Sequence, residues 1–214
     1  MSESHDAPSL LINGPKKAAL TLVLAHGAGA PMDSRFMNIV AEGVADSRAD
    51  TRVARFEFPY MQKTRATGRR SAPDLAPVLL ESWRAVIAEL GNADTMVIGG
   101  KSMGGRMASM IADDAGVRGL VCLGYPFHAP GRPDVPRIAH LQKLRTRALI
   151  LQGTRDSFGS PEEVEGYKLS RTIRVEWIED GDHSFKPRAR SGRTEKQNLE
   201  HAIAQIVDFL DSLK

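Results

Sequence analysis

Cysteine is almost absent from this sequence of 214 residues, since Cys122 is the only one. A single cysteine cannot form a disulfide within the chain, which favours a reducing compartment. Cys122 lies in the apolar run Leu120–Leu123, so we predict that it is a small buried hydrophobic residue. Residues 1–8 lack the basic and apolar regions of a secretory signal, and we therefore expect a cytoplasmic protein.

Long apolar runs and a strong charge imbalance are also missing. The longest apolar stretches, such as residues 18–25, are far below the roughly 20 residues that span a bilayer, so we expect no membrane partner. The net charge of +3 is too small to indicate nucleic acid binding. Only the arginine-containing stretches 65–70 and 186–193 would support it, and we do not expect a nucleic acid partner. No histidine pair has metal-ligand spacing such as H-E-x-x-H, so we also predict no metal and no cofactor.

What the sequence does contain is a β-α alternation along its whole length. Hydrophobic residues make up 42% and charged residues 26%, as in globular proteins. We see no repeat and no long linker, and the length suits one domain, 1–214. Helices that separate buried strands predict an α/β fold, a three-layer sandwich with a mostly parallel central sheet. A weaker strand at Ser9–Ile12 could pair at one edge of the sheet. Short apolar runs predict the other strands at Ala19–Ala25, Val53–Phe58, Thr95–Gly99, Gly119–Leu123, Ala148–Gln152 and Ile173–Ile178.

Helix signals lie between these strands. Apolar residues in Leu75–Leu90 recur at helical spacing and form one stripe. Ser160 followed by Pro161 predicts a helix that begins near residue 161, and Glu163 can complete a capping box with Ser160. Thr194, with Gln197 three residues later, predicts a capping box at the start of the last helix.

Glycines surround Ser102 in the segment Gly100–Gly104 (GKSMG). This pattern, G-x-S-x-G, stands directly after a predicted strand and directly before a predicted helix. Such a turn strains the serine, so its neighbours must be small, and a helix N-terminus favours developing negative charge. A glycine-rich turn in which the serine only caps the helix would have the same G-x-S-x-G pattern. The strand and the helix on either side favour Ser102 as a nucleophile.

Two further chemically active residues follow strands that come later in the chain. His183 follows the last predicted strand, and imidazole suits a general base near neutral pH. Asp156 follows the strand before it and is the candidate acid that orients the imidazole, with Asp180 and Asp182 as alternatives. Because the carboxyl ends of parallel strands share one edge of a sheet, the order Ser102, Asp156, His183 predicts a catalytic triad.

A turn of small residues, His26–Ala30, closes the first strong strand. The backbone N–H of Ala28 could point from this turn at an oxyanion, and with the N–H of Met103 it would complete an oxyanion hole. Gly29 is the alternative donor. We expect His26 to brace the loop through hydrogen bonds and not to act as a base. The histidines expected at the surface are His5, His140 and His201.

Basic residues are frequent in the loops at the same predicted edge. We hypothesise a positive rim that favours acidic or phosphate-bearing esters and thioesters. The simpler alternative is a set of solvated loops, partly balanced by acidic residues. His128 follows the strand Gly119–Leu123 and is a possible substrate contact, with a structural hydrogen bond as the alternative. The rim would comprise Arg35, Arg65, Arg69, Arg70, Lys101, Arg132, Arg155, Lys186, Arg188, Arg190 and Arg193.

With these residues in place, the chain resembles a small α/β hydrolase. It is most similar to bacterial dienelactone-hydrolase-like proteins, which are akin to a subunit of an animal chromatin complex and to a testis-expressed protein. The resemblance implies Ser102 as nucleophile, Asp156 as acid and His183 as base. Better-known dienelactone hydrolases have a cysteine at the position of Ser102, so this chain departs from their pattern. The motifs that carry the resemblance are His26–Gly29, Phe58–Tyr60, Gly99–Arg106, Tyr125–His128, Gln152–Asp156 and Gly181–Phe185.

The resemblance implies a serine hydrolase, a carboxylesterase or thioesterase that acts on a small-molecule acyl substrate. Larger relatives insert a helical lid after the strand that corresponds to Gly119–Leu123. The segment 124–147 is short and contains several prolines, so we predict no lid domain and an open site. The alternative function is a non-catalytic interaction module that keeps the hydrolase fold. The oligomeric state is not indicated by the sequence.

Overall fold

Seven strands form one central sheet in the computed structural model, which describes residues 9–213. The strand order is β1-β3-β2-β4-β5-β6-β7, with β1 antiparallel to β3 and every other neighbouring pair parallel. The predicted strands are all present, with ends shifted by at most two residues. Their bounds are β1 Leu10–Asn13, β2 Leu20–Ala25, β3 Thr51–Phe56, β4 Met96–Lys101, β5 Gly119–Leu123, β6 Ala148–Gly153 and β7 Ile173–Ile178.

Helices cover both faces of the sheet. The helical stripe at residues 75–90 forms α3, and the capping boxes at Ser160 and Thr194 open α5 and α6 as predicted. Two helices have no counterpart among the predicted elements, namely α1 and α2. The bounds are α1 Arg35–Ser47, α2 Pro59–Thr67, α3 Ala76–Leu90, α4 Met103–Ala115, α5 Pro161–Glu165 and α6 Glu195–Ser212. None of the helices in residues 9–213 is long and apolar enough to cross a membrane.

Alternate residues of the central strands face two separate cores. In β2, Leu22 and Leu24 belong to the core under α1 and α6, whereas Val23 and Ala25 belong to the core under α3 and α4. This division follows from the two-residue period of a strand, which sends successive side chains to opposite faces. Because both faces are covered, β2, β4, β5 and β6 are buried along their whole length and consist mainly of apolar residues, as the predicted three-layer sandwich requires.

The segment between β5 and β6 is short and lacks a lid. Within residues 124–147 the only helical turn is the three-residue 3₁₀ helix Leu141–Lys143. The predicted absence of a lid domain is therefore confirmed for the part of the chain that the structure describes.

Two predictions about single residues have different outcomes. Cys122 is fully buried, and burial raises the pKa of its thiol, as expected for a hydrophobic role. The surface position expected for His140 is wrong, because its Nε2 lies 2.8 Å from the buried Ser109 hydroxyl and 3.3 Å from the Tyr125 hydroxyl. His201 is half-buried on α6, 3.7 Å from Glu176, and His5 lies outside the described residues.

Candidate active site

The predicted site residues meet at the carboxyl edge of the parallel sheet. His26 follows β2, Ser102 follows β4, and β2 and β4 are neighbours in the sheet. Asp156 follows β6 and His183 follows β7, which are also neighbours. In parallel sheets this edge is where ligands bind.

Ser102 occupies a strained turn between β4 and α4. Its φ is 50° and its ψ is −114°, which few residues other than glycine adopt. A Cβ on Gly100 would lie 2.1 Å from the carbonyl oxygen of Ala25, and one on Gly104 would lie 2.5 Å from the same atom. Both positions therefore need glycine, because the turn packs directly against the end of β2.

Asp156, and neither alternative acid, contacts the imidazole of His183. Its Oδ2 lies 2.8 Å from Nδ1 of His183, and its side chain is fully buried. Asp180 instead pairs with Arg188 and accepts hydrogen bonds from its backbone and side chain. Asp182 accepts hydrogen bonds from backbone N–H groups within its own loop.

Gln152 and Phe158 hold Asp156 and His183 in place, and sequence reasoning did not single out either residue. Gln152 Nε2 donates to Asp156 Oδ2 at 2.9 Å, and its Oε1 accepts from the backbone N–H of Tyr125 at 2.7 Å. The N–H of Phe158 donates to Asp156 Oδ1 at 2.9 Å, and its ring lies 4.5 Å from that of His183. The signal available was Gln152 itself, a polar residue at the end of an apolar strand.

Ser102 and His183 lie against the same two residues at the end of β5, Leu123 and Gly124. The N–H of Ser102 donates to the carbonyl of Leu123 at 3.0 Å, and a Cβ on the next residue, Gly124, would lie 3.2 Å from Nδ1 of His183. Within residues 9–213, the Ser102 hydroxyl and the His183 ring form no direct hydrogen bond. Such bonds are often long in unliganded enzymes and shorten when substrate binds.

Two backbone N–H groups beside Ser102 have no acceptor among the described residues. They belong to Met103, the first residue of α4, and to Ala28 in the turn after β2. The N–H of Gly29 is also without an acceptor there, so both predicted alternatives for the second donor stay open. Tyr60 braces this turn, because its hydroxyl donates to the carbonyls of Gly27 at 3.3 Å and Ala28 at 3.2 Å.

His26 lies behind the turn and is fully buried. Its Nε2 accepts from the backbone N–H of Phe58 at 3.1 Å, so Nδ1 carries the hydrogen and donates to the carbonyl of Gly27 at 2.7 Å. Burial lowers the pKa of His26 below its ordinary value. Both ring nitrogens are thus engaged in bracing the loop, as the sequence predicts.

Lys101 is placed differently from the prediction. The sequence predicts a position in a basic rim of loops, but Lys101 is the last residue of β4 and is buried. Its Nζ donates to the carbonyl of His183 at 2.6 Å. The prediction was wrong because the position of a lysine next to Ser102 in the sequence does not show whether its side chain is buried beneath the site or exposed at its rim.

Most of the other predicted rim residues are already engaged. Arg65 pairs with Glu57 and Asp33, and Arg155 and Arg188 both pair with Asp180. Further pairs are Arg35 with Glu195 and Arg132 with Asp134, while Arg193 donates to Asn198. Within the described chain, the rim residues whose side chains form neither an ion pair nor a hydrogen bond are Arg69, Arg70, Lys186 and Arg190.

Of these four, Arg70 lines a cleft beside the turn His26–Ala30, which carries the candidate oxyanion-hole N–H groups of Ala28 and Gly29 and is called the oxyanion turn below. The cleft has a volume of about 430 Å³, and its lining joins the turn after β2 to the loop before α3: Ala28, Gly29, Arg70, Ser71, Ala72 and Pro73. Its walls are mainly small and apolar, and Arg70 is the only charged residue among the described residues that line it.

His128 is buried and does not lie in that cleft. Its Nδ1 lies 2.8 Å from the carbonyl of Ala129, and its Nε2 is 3.6 Å from Glu163 on α5. The Nδ1 contact fits a structural hydrogen bond, whereas the buried Nε2 has no hydrogen-bond partner among the described residues, so both predicted alternatives stay open. Among residues 9–213, no cluster of three or more His, Cys, Asp or Glu side chains could hold a metal ion.

Comparison with known proteins identifies a family and several similar solved structures. Residues 18–211 match the family described as the α/β hydrolase domain. The chain is similar to an α/β serine hydrolase homologue from Coxiella burnetii, at 18% identity over 94% of this chain and 90% of that one, with a TM-score of 0.70. It is also similar to an α/β serine hydrolase without a lid from Xanthomonas campestris, at 17% identity over 94% and 88%, with a TM-score of 0.67. A dienelactone hydrolase from Anabaena variabilis matches at 19% identity over 95% and 92%, with a TM-score of 0.68.

Proposed function

The chain belongs to the α/β-hydrolase domain family, and on that premise we propose that it is a serine hydrolase that cleaves a carboxylic ester or thioester. The observation that carries the proposal is the buried Asp156 carboxylate 2.8 Å from Nδ1 of His183, at the same sheet edge as the strained Ser102 turn. An ionised carboxylate accepts the hydrogen on Nδ1, which leaves Nε2 as the basic nitrogen.

The reaction begins when Ser102 Oγ attacks the acyl carbonyl of the substrate. Nε2 of His183 takes the hydroxyl proton, and Asp156 stabilises the imidazolium that forms. The free N–H groups of Met103 and of Ala28 or Gly29 stabilise the negative charge on the carbonyl oxygen. His183 then gives its proton to the departing alcohol or thiol, and an acyl ester remains on Ser102.

Water completes the cycle. His183 takes a proton from the water molecule that attacks the acyl-enzyme, and the carboxylic acid leaves as the proton returns to Ser102. No lid covers the site within residues 9–213, which supports small or protruding acyl groups over buried long chains. The cytoplasm remains our proposed location.

The cleft beside the oxyanion turn supports a substrate with an anionic group. Arg70 is exposed and has no ion pair in the described chain, whereas most other rim residues are already engaged. A guanidinium can bind a carboxylate or a phosphate through two parallel hydrogen bonds. We therefore extend the proposal to acyl substrates that carry such a group near the reacting carbonyl.

A substrate panel tests the proposed activity. p-Nitrophenyl esters of increasing acyl length and acyl-CoA thioesters are assayed with the wild type and with Ser102→Ala. We expect hydrolysis of short acyl groups by the wild type, and a loss of at least about 10³-fold in Ser102→Ala. A folded wild type that hydrolyses none of these substrates would favour the non-catalytic interaction module instead.

A further inference from the structure

A buried ammonium group next to the nucleophile needs an explanation. Lys101 is only 9% exposed, and removing an ammonium from water is costly unless it gains partners. In the described chain its Nζ has one hydrogen-bond acceptor, the carbonyl of His183, at 2.6 Å. The ring of Phe36 lies 5.6 Å from Nζ and offers a weaker cation–π contact.

The Lys101 side chain connects three parts of the site. A Cβ built on Gly27 of the oxyanion turn would lie 3.4 Å from its Cγ and 3.6 Å from Cβ of Ser102. A Cβ built on Gly124 would lie 3.0 Å from its Nζ and 3.2 Å from Nδ1 of His183. The lysine therefore runs from the nucleophile turn, past the oxyanion turn, to the backbone of the base.

We propose that Lys101 is a positioning residue, whose ammonium fixes the backbone of His183 so that the imidazole stays within reach of Ser102. The inference rests on the proposed hydrolase function and adds a fourth residue to the triad. The hydrogen bond to Asp156 holds one edge of the ring, and Asn198 holds the loop at the carbonyl of Phe185. The Lys101 contact ties that loop to the same strand end that carries the nucleophile.

This role has a consequence for pH dependence. Burial lowers the pKa of Lys101 to about 8, and the carboxylates of Asp156 and Asp182 oppose that shift. These two carboxylates and His183 are the titratable groups that face the ammonium. As pH rises through that value the ammonium becomes an amine, and a charge-assisted hydrogen bond becomes a weaker neutral one. Activity should then decline at alkaline pH.

Lys101→Met keeps most of the apolar stem and removes the ammonium. We expect kcat to fall about 10- to 100-fold with KM within about threefold of wild type, because the base is displaced and substrate binding is not. The alkaline decline of kcat near pH 8 should also disappear. The matched control is Lys143→Met, which removes an exposed lysine of the 3₁₀ helix before β6, without an ion pair in the described chain, and should behave as wild type.

The outcomes separate the two proposals. A folded Lys101→Met protein with kcat within about twofold of wild type and an unchanged pH profile would overturn the positioning role alone. A folded wild type that neither hydrolyses acyl substrates nor reacts with a fluorophosphonate would overturn the hydrolase proposal and this inference with it. If Lys101→Met does not fold, the wild-type profile decides, because a kcat that stays flat from about pH 7 to about pH 9.5 contradicts the role.

Discussion

Nδ1 of His183 lies 2.8 Å from Oδ2 of Asp156, and the carboxylate is fully buried while the imidazole is 24% exposed. The two residues come from the loops after adjacent strands, β6 and β7. The buried end of the imidazole is thus fixed, and the opposite end is accessible from the open edge of the sheet. This asymmetry is what a general base that serves a solvent-accessible serine requires.

Replacing Asp156 with Asn tests the role of this contact. Asparagine keeps the shape of the side chain but removes the charge that stabilises the imidazolium, so kcat should fall by about 10³- to 10⁴-fold. The measurement is steady-state hydrolysis of the best substrate from the ester and thioester panel.

Asp180→Asn is the matched control for that variant. Asp180 is a buried neighbouring carboxylate that pairs with Arg188 and Arg155, so its loss should reduce stability and leave kcat within about threefold of wild type. Equal losses in the two variants would contradict the assignment of Asp156 as the acid.

Arg70→Met tests whether the cleft recognises an anionic group. For a substrate pair matched except for one carboxylate, we expect kcat/KM of the anionic ester to fall about 5- to 20-fold, with little change for the neutral ester. The preference of the wild type for the anionic ester should weaken as salt is raised, because salt screens exposed charges.

Arg69→Met is the control for Arg70, because it is the adjacent arginine but does not line the cleft. It should leave the ratio of the two kcat/KM values unchanged. If both variants behave alike, or if the wild type shows no preference at any salt concentration, the anionic substrate class is wrong.

His140 gives a prediction about stability at acidic pH. Burial, followed by the charge of Arg106, lowers the pKa of His140 to about 4 from an ordinary value of 6.5. The folded state therefore binds fewer protons than the unfolded state between these values. Its contribution to stability is present above pH 6.5 and is lost as pH falls toward 4.

We expect His140→Gln to lose less stability than wild type between about pH 7 and about pH 4.5. The difference should be on the order of 1 kcal/mol, reduced by solvent screening because the side chain is only half-buried. Urea unfolding at both pH values measures it. His26, whose pKa is also lowered, is present in both proteins and cancels from the comparison. Parallel losses in the two proteins would contradict the prediction.

The fold and the placement of Ser102, Asp156 and His183 at one sheet edge were accessible from the sequence because they rest on local patterns. An apolar run predicts a buried strand, and G-x-S-x-G between a strand and a helix specifies a strained turn. The contacts that support the triad depend on side chains that meet only after folding. Gln152 is visible as a polar residue at the end of an apolar strand, but its partners Asp156 and Tyr125 are not, and the periodicity of β4 does not reveal that Lys101 turns inward.

The arginines around the site illustrate the same limit. Their positions in loops at one sheet edge are visible in the sequence, and they suggest a positive rim. Which of them retain a free charge depends on carboxylates elsewhere in the chain, such as Glu57 for Arg65 and Glu195 for Arg35. Only the structure shows that four rim side chains stay unengaged in the described chain, and that Arg70 is the one of them that lines the cleft.

The central claim is that Ser102 is an activated nucleophile, and covalent labelling tests it most directly. Wild type, Ser102→Ala and the matched control Ser109→Ala, which removes a buried serine of α4, are treated with a fluorophosphonate and analysed by intact mass and peptide mapping. We predict one adduct on the peptide that contains Ser102 in wild type and in Ser109→Ala, and none in Ser102→Ala. A folded wild type that stays unlabelled, or a label that persists in Ser102→Ala, would contradict the claim.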